Sequence, residues 1–132
     1  MCKAKPTAGR SAPNDFKRYT KANVNTSAGA SATAVYTVPS TSSVAMETIV
    51  IGITLANTST AGVTSSVFID NYDGSNDVYL VKNATVPAGS SLEVMAGNKL
   101  VLQGNGTAND VLRVNCGTAS SLDATVSILE DV

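Results

Sequence analysis

From Val35 onward, short apolar runs rich in β-branched residues alternate with breaks of Gly, Pro, Asn and Ser. Within the runs, apolar positions recur at a period of two, the spacing that puts side chains on one face of a strand. Strands are predicted near Ala34–Val38, Val44–Asn57, Gly62–Asp70, Asp77–Lys82, Ser90–Met95, Lys99–Gln103, Asp110–Cys116 and Leu122–Glu130. In the second run, Ile49, Ile51, Ile53 and Leu55 would share one face, and Thr48, Val50, Gly52 and Thr54 the other. In the seventh, Leu112, Val114 and Cys116 alternate with Val111, Arg113 and Asn115. In the last, Leu122, Ala124, Val126 and Ile128 alternate with Asp123, Thr125 and Ser127. Asp73-Gly74 and Ala96-Gly97-Asn98 read as hairpin turns. Pro39 and Pro87 belong just outside strands, where a missing N–H breaks no ladder.

Short strands of this kind with no helical stretch imply two packed antiparallel sheets. The expected fold is all-β: an antiparallel β-sandwich of about eight strands, jelly-roll-like, over residues 35–132. One internal echo is visible. Thr37-Val38-Pro39-x-x-Ser42-Ser43-Val44 returns as Thr85-Val86-Pro87-x-x-Ser90-Ser91-Leu92. Each copy ends one strand, turns at proline and starts another, which fits either a duplication or reuse of the same turn chemistry.

Residues 1–34 have a different texture. Pro6, Gly9, Pro13 and Gly29 punctuate them, Thr26–Ala34 is low-complexity Ser/Ala/Gly/Thr, and no period holds. They are expected to form an extended arm with little of its own to bury. Charge separates the two parts further. Residues 1–35 carry Lys3, Lys5, Arg10, Lys17, Arg18 and Lys21 against Asp15, a net +5, whereas residues 36–132 carry three cations and nine acids, a net −6. A basic arm with Phe16 and Tyr19 among its cations suits nucleic acid, an acidic protein surface (a neighbouring copy's body included) or simply a solvated tail. Loose spacing, few aromatics and the acidic body, which would repel a polyanion, disfavour nucleic acid. The arm residues Lys3, Lys5, Arg10, Phe16, Lys17, Arg18, Tyr19 and Lys21 are therefore the expected partner-binding set.

Composition narrows the chemistry. Only 14% of the 132 residues are charged, Trp is absent and so is His. Without histidine there is no Ser-His or Cys-His pair and no near-neutral general base. No catalytic, cofactor-binding or metal-ligating residue is expected, and the chain is read as not an enzyme. The best cation candidate, Asp70 through Asp77, fails the calcium-loop pattern. An acid is needed five residues before Gly74, where Ile69 stands, and a Glu six after, where Leu80 stands. Gly104-Asn105-Gly106 lacks the third glycine and the following helix of a nucleotide loop. The longest apolar run, Thr48–Ala56, is strand-length, so no membrane helix is expected. No apolar segment of a secretory signal is present either. Cys2 and Cys116 are open to two readings: Cys116 as a small apolar residue at a strand end, or the two as a candidate disulfide, within or between subunits.

Four segments in order carry a resemblance: YTVP at Tyr36–Pro39, IVIGITLAN at Ile49–Asn57, VYLVKN at Val78–Asn83 and VPAGSSLEVMAGNKLVL at Val86–Leu102. With the closing acidic strand Val126–Asp131, they resemble a family of small virion structural proteins of tailed bacteriophages, marine and cyanobacterial phages included. The resemblance spans about residues 35–132 and leaves out the arm. It implies a β-sandwich that decorates or cements a capsid, or forms part of the tail, collar or baseplate. It carries no catalytic residue. The expectation is a non-enzymatic capsid decoration protein on the virion exterior, made in the host cytoplasm. Its partners would be the major capsid protein and other copies of itself, as a homotrimer, with the arm as the contact. A carbohydrate-binding module is the rival from another class, with Tyr36, Tyr72 and Tyr79 as its sugar-stacking candidates.

Overall fold

The structure, a computed structural model, describes residues 15–39 and 46–131 except Asp73, Ser75, Ala96 and the side chain of Asp131. Nine strands form two antiparallel sheets: β1 Asp15–Lys21, β2 Thr33–Thr37, β3 Met46–Asn57, β4 Val63–Asp70, β5 Asp77–Val86, β6 Ser91–Glu93, β7 Leu100–Gly104, β8 Val111–Cys116 and β9 Leu122–Asp131. One sheet runs β1-β9-β3-β6 with β7 also on β3, and the other runs β2-β8-β4-β5. The all-β sandwich expected from the alternation is present.

The order is that of a jelly roll. β6 lies along Thr54–Ala56 and β7 along Met46–Val50, both antiparallel to β3. They are two halves of one interrupted strand running the same way, so the hairpin expected at 96–98 is instead an excursion out of that strand. Ala96 itself lies outside the described residues. With the two halves counted as one, the chain changes sheet at every step except β4 to β5, as in two interleaved Greek keys. The echo has a place in this topology. Val38 and Val86 are both fully buried, and each precedes a crossing from the β2-β8-β4-β5 sheet to the other.

The core lies between the sheets. Leu112, Val114 and Cys116 of β8, and Leu122, Ala124, Val126 and Ile128 of β9, point inward as the alternation predicts. β3 departs from it. Met46, Thr48 and Val50 are buried in its first half, and Ile53, Leu55 and Asn57 in its second. The pairing with β9 steps from Val50 to Gly52, which leaves Ile51 as an extra residue. This bulge reverses which parity faces the core. A run that is apolar on nearly every position cannot reveal where such a step falls.

The largest correction is at the N-terminal side. The extended arm was expected to run to residue 34, but β1 pairs in regular register with β9 from Asp15↔Glu130 to Lys21↔Ala124. The segment after it is tied down too. Val24 is fully buried, its N–H donates to the Leu122 carbonyl at 2.8 Å, and the Cys116 N–H donates to the Asn25 carbonyl at 3.0 Å. Residues 15–34 thus complete the sandwich, and β1 supplies the strand that makes the sheet order a jelly roll. Lys3, Lys5, Arg10 and Cys2 lie outside the described residues.

Candidate functional site: the β1 margin and the outer face of its sheet

β1 has two sides with opposite fates. Its inward positions, Lys17 and Tyr19, meet the sandwich interior. Lys17 Nζ lies 2.6 Å from Glu130 Oε1, and the Tyr36 hydroxyl donates to Glu130 Oε2 at 2.6 Å. The same hydroxyl lies 2.7 Å from Thr48 Oγ1. Tyr19 tilts against Tyr36 with ring centroids 5.0 Å apart. Glu130 is only 2% exposed, and both of its oxygens are partnered, as a buried carboxyl group requires. The hydrogen bond to Glu130 raises the Lys17 pKa above its ordinary value, against an opposing effect of burial. Burial first, and the Glu130 carboxylate second, push the Tyr36 phenol upward. The cluster fastens β1 to β2, β3 and β9. Its polar groups are spent on one another, which holds the margin together.

The outward positions are Phe16, Arg18 and Thr20. Phe16 is 78% exposed. It stands opposite Leu129, which stands opposite Ile49, which stands opposite Val101, itself 53% exposed. One cross-strand row of apolar side chains therefore spans the whole sheet on its solvent side. Ile51, pushed out by the bulge, adds to the row, with Glu47 and Gln103 along one flank and Arg18 and Ser127 along the other. Apolar surface of this kind makes the row a candidate interaction surface.

The expected partner-binding set is thus divided. Phe16 and Arg18 lie on the outer face, and Lys21 is exposed at the strand end. Tyr19 lies on the inward side, and so does Lys17, which stays part-exposed while paired with Glu130. The row's other members, Leu129, Ile49 and Val101, were absent from the expected set. They were missed because an outward apolar residue looks like core until the bulge position and pairing are known. Glu130 did leave a signal. Continuing the alternation of Leu122 through Ile128 puts it inward, and an inward acid demands a cation.

Other candidates resolve plainly. Cys116 is a buried free thiol whose Sγ donates to the Val24 carbonyl at 3.2 Å, and burial pushes its pKa up. This fits the small-apolar reading, while its suggested disulfide partner Cys2 lies outside the described residues. Among the described residues no group of three His, Cys, Asp or Glu is placed to hold a metal. Asp70 is occupied by Arg113 Nε at 3.0 Å. Asp110, buried, takes the backbone N–H groups of Tyr72 and Gln103 at 2.8 Å each. Of the sugar-stacking candidates, Tyr72 is half-buried and Tyr79 part-exposed. Tyr36 is buried, and Tyr79 packs on Phe68 at 4.9 Å and lies under Lys82 Nζ at 4.8 Å. A cavity of about 190 Å³ opens at the opposite margin between Leu80, Val94, Met95, Asn98, Lys99 and Leu100. No described helix is long and apolar enough to cross a membrane.

No family model matches the chain, and no curated protein does. Among solved structures, a chain in the structure of infectious bursal disease virus, Gx strain, aligns over 99% of this chain and 47% of its own length, with 13% identity and a TM-score of 0.33. A chain of the Gt strain aligns over the same shares with 10% identity and a TM-score of 0.23. This chain spans about half the length of those it matches. At such scores the likeness to a virus structure is loose and carries no functional weight.

Proposed function

We propose that this chain is a non-enzymatic virion structural protein of a tailed bacteriophage, a capsid decoration protein that docks on the major capsid protein and stabilises the head. The observation that carries the reading is the row Phe16–Leu129–Ile49–Val101 across the outer face of one sheet, exposed at both ends and half-buried between them. A sheet closed on one side and left apolar across the other is built to lie against something. The order of segments shared with small phage virion proteins names the class of surface. Jelly rolls also serve as lectin and cupin scaffolds, so fold alone selects nothing. The apolar row favours a protein surface over a sugar.

The test is reconstitution. Purified chain is added to capsids that lack it, and bound copies are counted. Saturable binding at hundreds of copies per particle supports decoration of the head. A few dozen copies or fewer, placed at the tail, collar or baseplate, would assign it there instead. The double substitution Ile49→Glu with Val101→Glu is expected to abolish binding while leaving the fold intact, and unimpaired binding would remove the row from the reading. The contribution of the leading basic residues is tested by deleting residues 2–14 only, since a deletion reaching Lys21 removes β1 itself.

A further inference from the structure

We infer that the free edge of β1 is a docking site for an extended acidic strand of another polypeptide, added to the sheet by backbone pairing. This rests on the reading of the chain as an interaction protein and specifies the chemistry of its partner.

Among the described residues β1 pairs on one side only, with β9, and no described strand pairs with the backbone donors and acceptors of its other edge. The remaining edges of the sandwich are poorer templates. β2 carries a bulge between Ala34 and Tyr36, and β5 shifts register twice against β4. β6 and β7 are three and five residues long, separated by the excursion. β1 runs seven residues without a register shift. Edge cations often serve only to discourage pairing. A protective edge, however, does not carry an aromatic ring 78% exposed beside them. Among the described residues, neither Arg18 nor Lys21 has an ion-pair partner.

The side chains dictate what would pair. Directly opposed residues share a face. An antiparallel partner would place an acid opposite Lys21, a second acid three residues on, opposite Arg18, and an apolar residue two further, opposite Phe16. That apolar residue would extend the row across the new strand. The partner pattern is acid-x-x-acid-x-apolar. No stretch of this chain reads so: its one pair of acids three apart, Asp70 and Asp73, is followed by Ser75. The occupant is therefore foreign and not a second copy. Nucleic acid fits less well, because Arg18 and Lys21 point to opposite faces of the strand and Phe16 is the one exposed ring on it.

The probe is a synthetic peptide containing Glu-Thr-Thr-Glu-Thr-Val within an otherwise Thr/Ser sequence, with a scrambled peptide of identical composition as control. Binding is read by NMR on the full chain as amide shifts and exchange protection. Protection over Asp15–Lys21, with affinity at least about threefold weaker for the scramble and for Arg18→Glu, is the expected result. Phe16→Ser should weaken binding similarly, and an unchanged melting temperature shows that both variants keep the fold. Equal binding of both peptides, no response in β1, tighter binding of a single-stranded oligonucleotide at β1, or concentration-dependent pairing of β1 with itself would each overturn the inference. A chain that decorates particles but ignores the peptide loses this inference and keeps the proposed role. A chain that binds the peptide but never enters a particle does the reverse.

Discussion

The two outer faces of the sandwich treat an outward aromatic in opposite ways. On the β2-β8-β4-β5 sheet, Phe68 points away from the core between Val67 and Ile69, yet it is 0% exposed. Tyr79 packs on it at 4.9 Å, Lys82 lies over Tyr79, and the neighbouring Arg113 reaches Asp70 and the Ala32 carbonyl, each at 3.0 Å. That sheet has built a lid from its own side chains. On the other sheet, Phe16 and the row behind it have no lid. An outward apolar residue is therefore not in itself a docking signal. What distinguishes the two rings is how far the chain covers each with something of its own: Phe68 entirely, Phe16 hardly at all.

The contrast can be broken most directly by removing each ring. Phe68→Ala should cost about 3–5 kcal/mol in denaturant unfolding, the range for a buried aromatic, whereas Phe16→Ala should stay within about 0.5 kcal/mol. Equal costs would mean that the two faces do not differ. Next comes the inner side of β1. Glu130→Gln leaves Lys17 without its counter-charge and weakens the anchor of the buried Tyr36 hydroxyl, and should destabilise by about 2–3 kcal/mol. The part-exposed Lys17 keeps the loss below that of a fully buried pair. The lid on the opposite face is held more lightly, and Arg113→Met should cost about 1 kcal/mol.

The smallest effect is one of pH. Lys17 and Tyr36 both hold their protons more tightly in the fold than in the unfolded chain, where their values are 10.5 and 10.0. Above that range the folded state binds more protons, so stability falls as pH rises. Their contribution is complete below about pH 10 and is lost as pH climbs through the raised values. Melting temperatures from pH 8 to 11 should bend downward near pH 10, with a shallower bend in Tyr36→Phe. A bend of equal depth in that variant would show that Tyr36 plays no part.

The alternation of small runs was enough to determine the class of fold, eight of the nine strands and the inward faces of β8 and β9, because period-two burial is a local property written residue by residue. The charge split, the lack of histidine and the failed calcium and nucleotide patterns were equally local. β1 was not legible that way. Its two inward positions are Lys17 and Tyr19, and a lysine reads as solvent-facing until Glu130, more than a hundred residues away, is placed opposite it. The phase of β3 was hidden for a related reason: the bulge at Ile51 is set by the pairing with β9 and not by the run itself. The apolar row depends on both, since it exists only once four strands distant in sequence are brought side by side with Phe16, Leu129, Ile49 and Val101 in register. Composition decided what this chain is made to bury. Strand order alone decided what it leaves uncovered, because coverage is a relation between residues that the sequence keeps far apart.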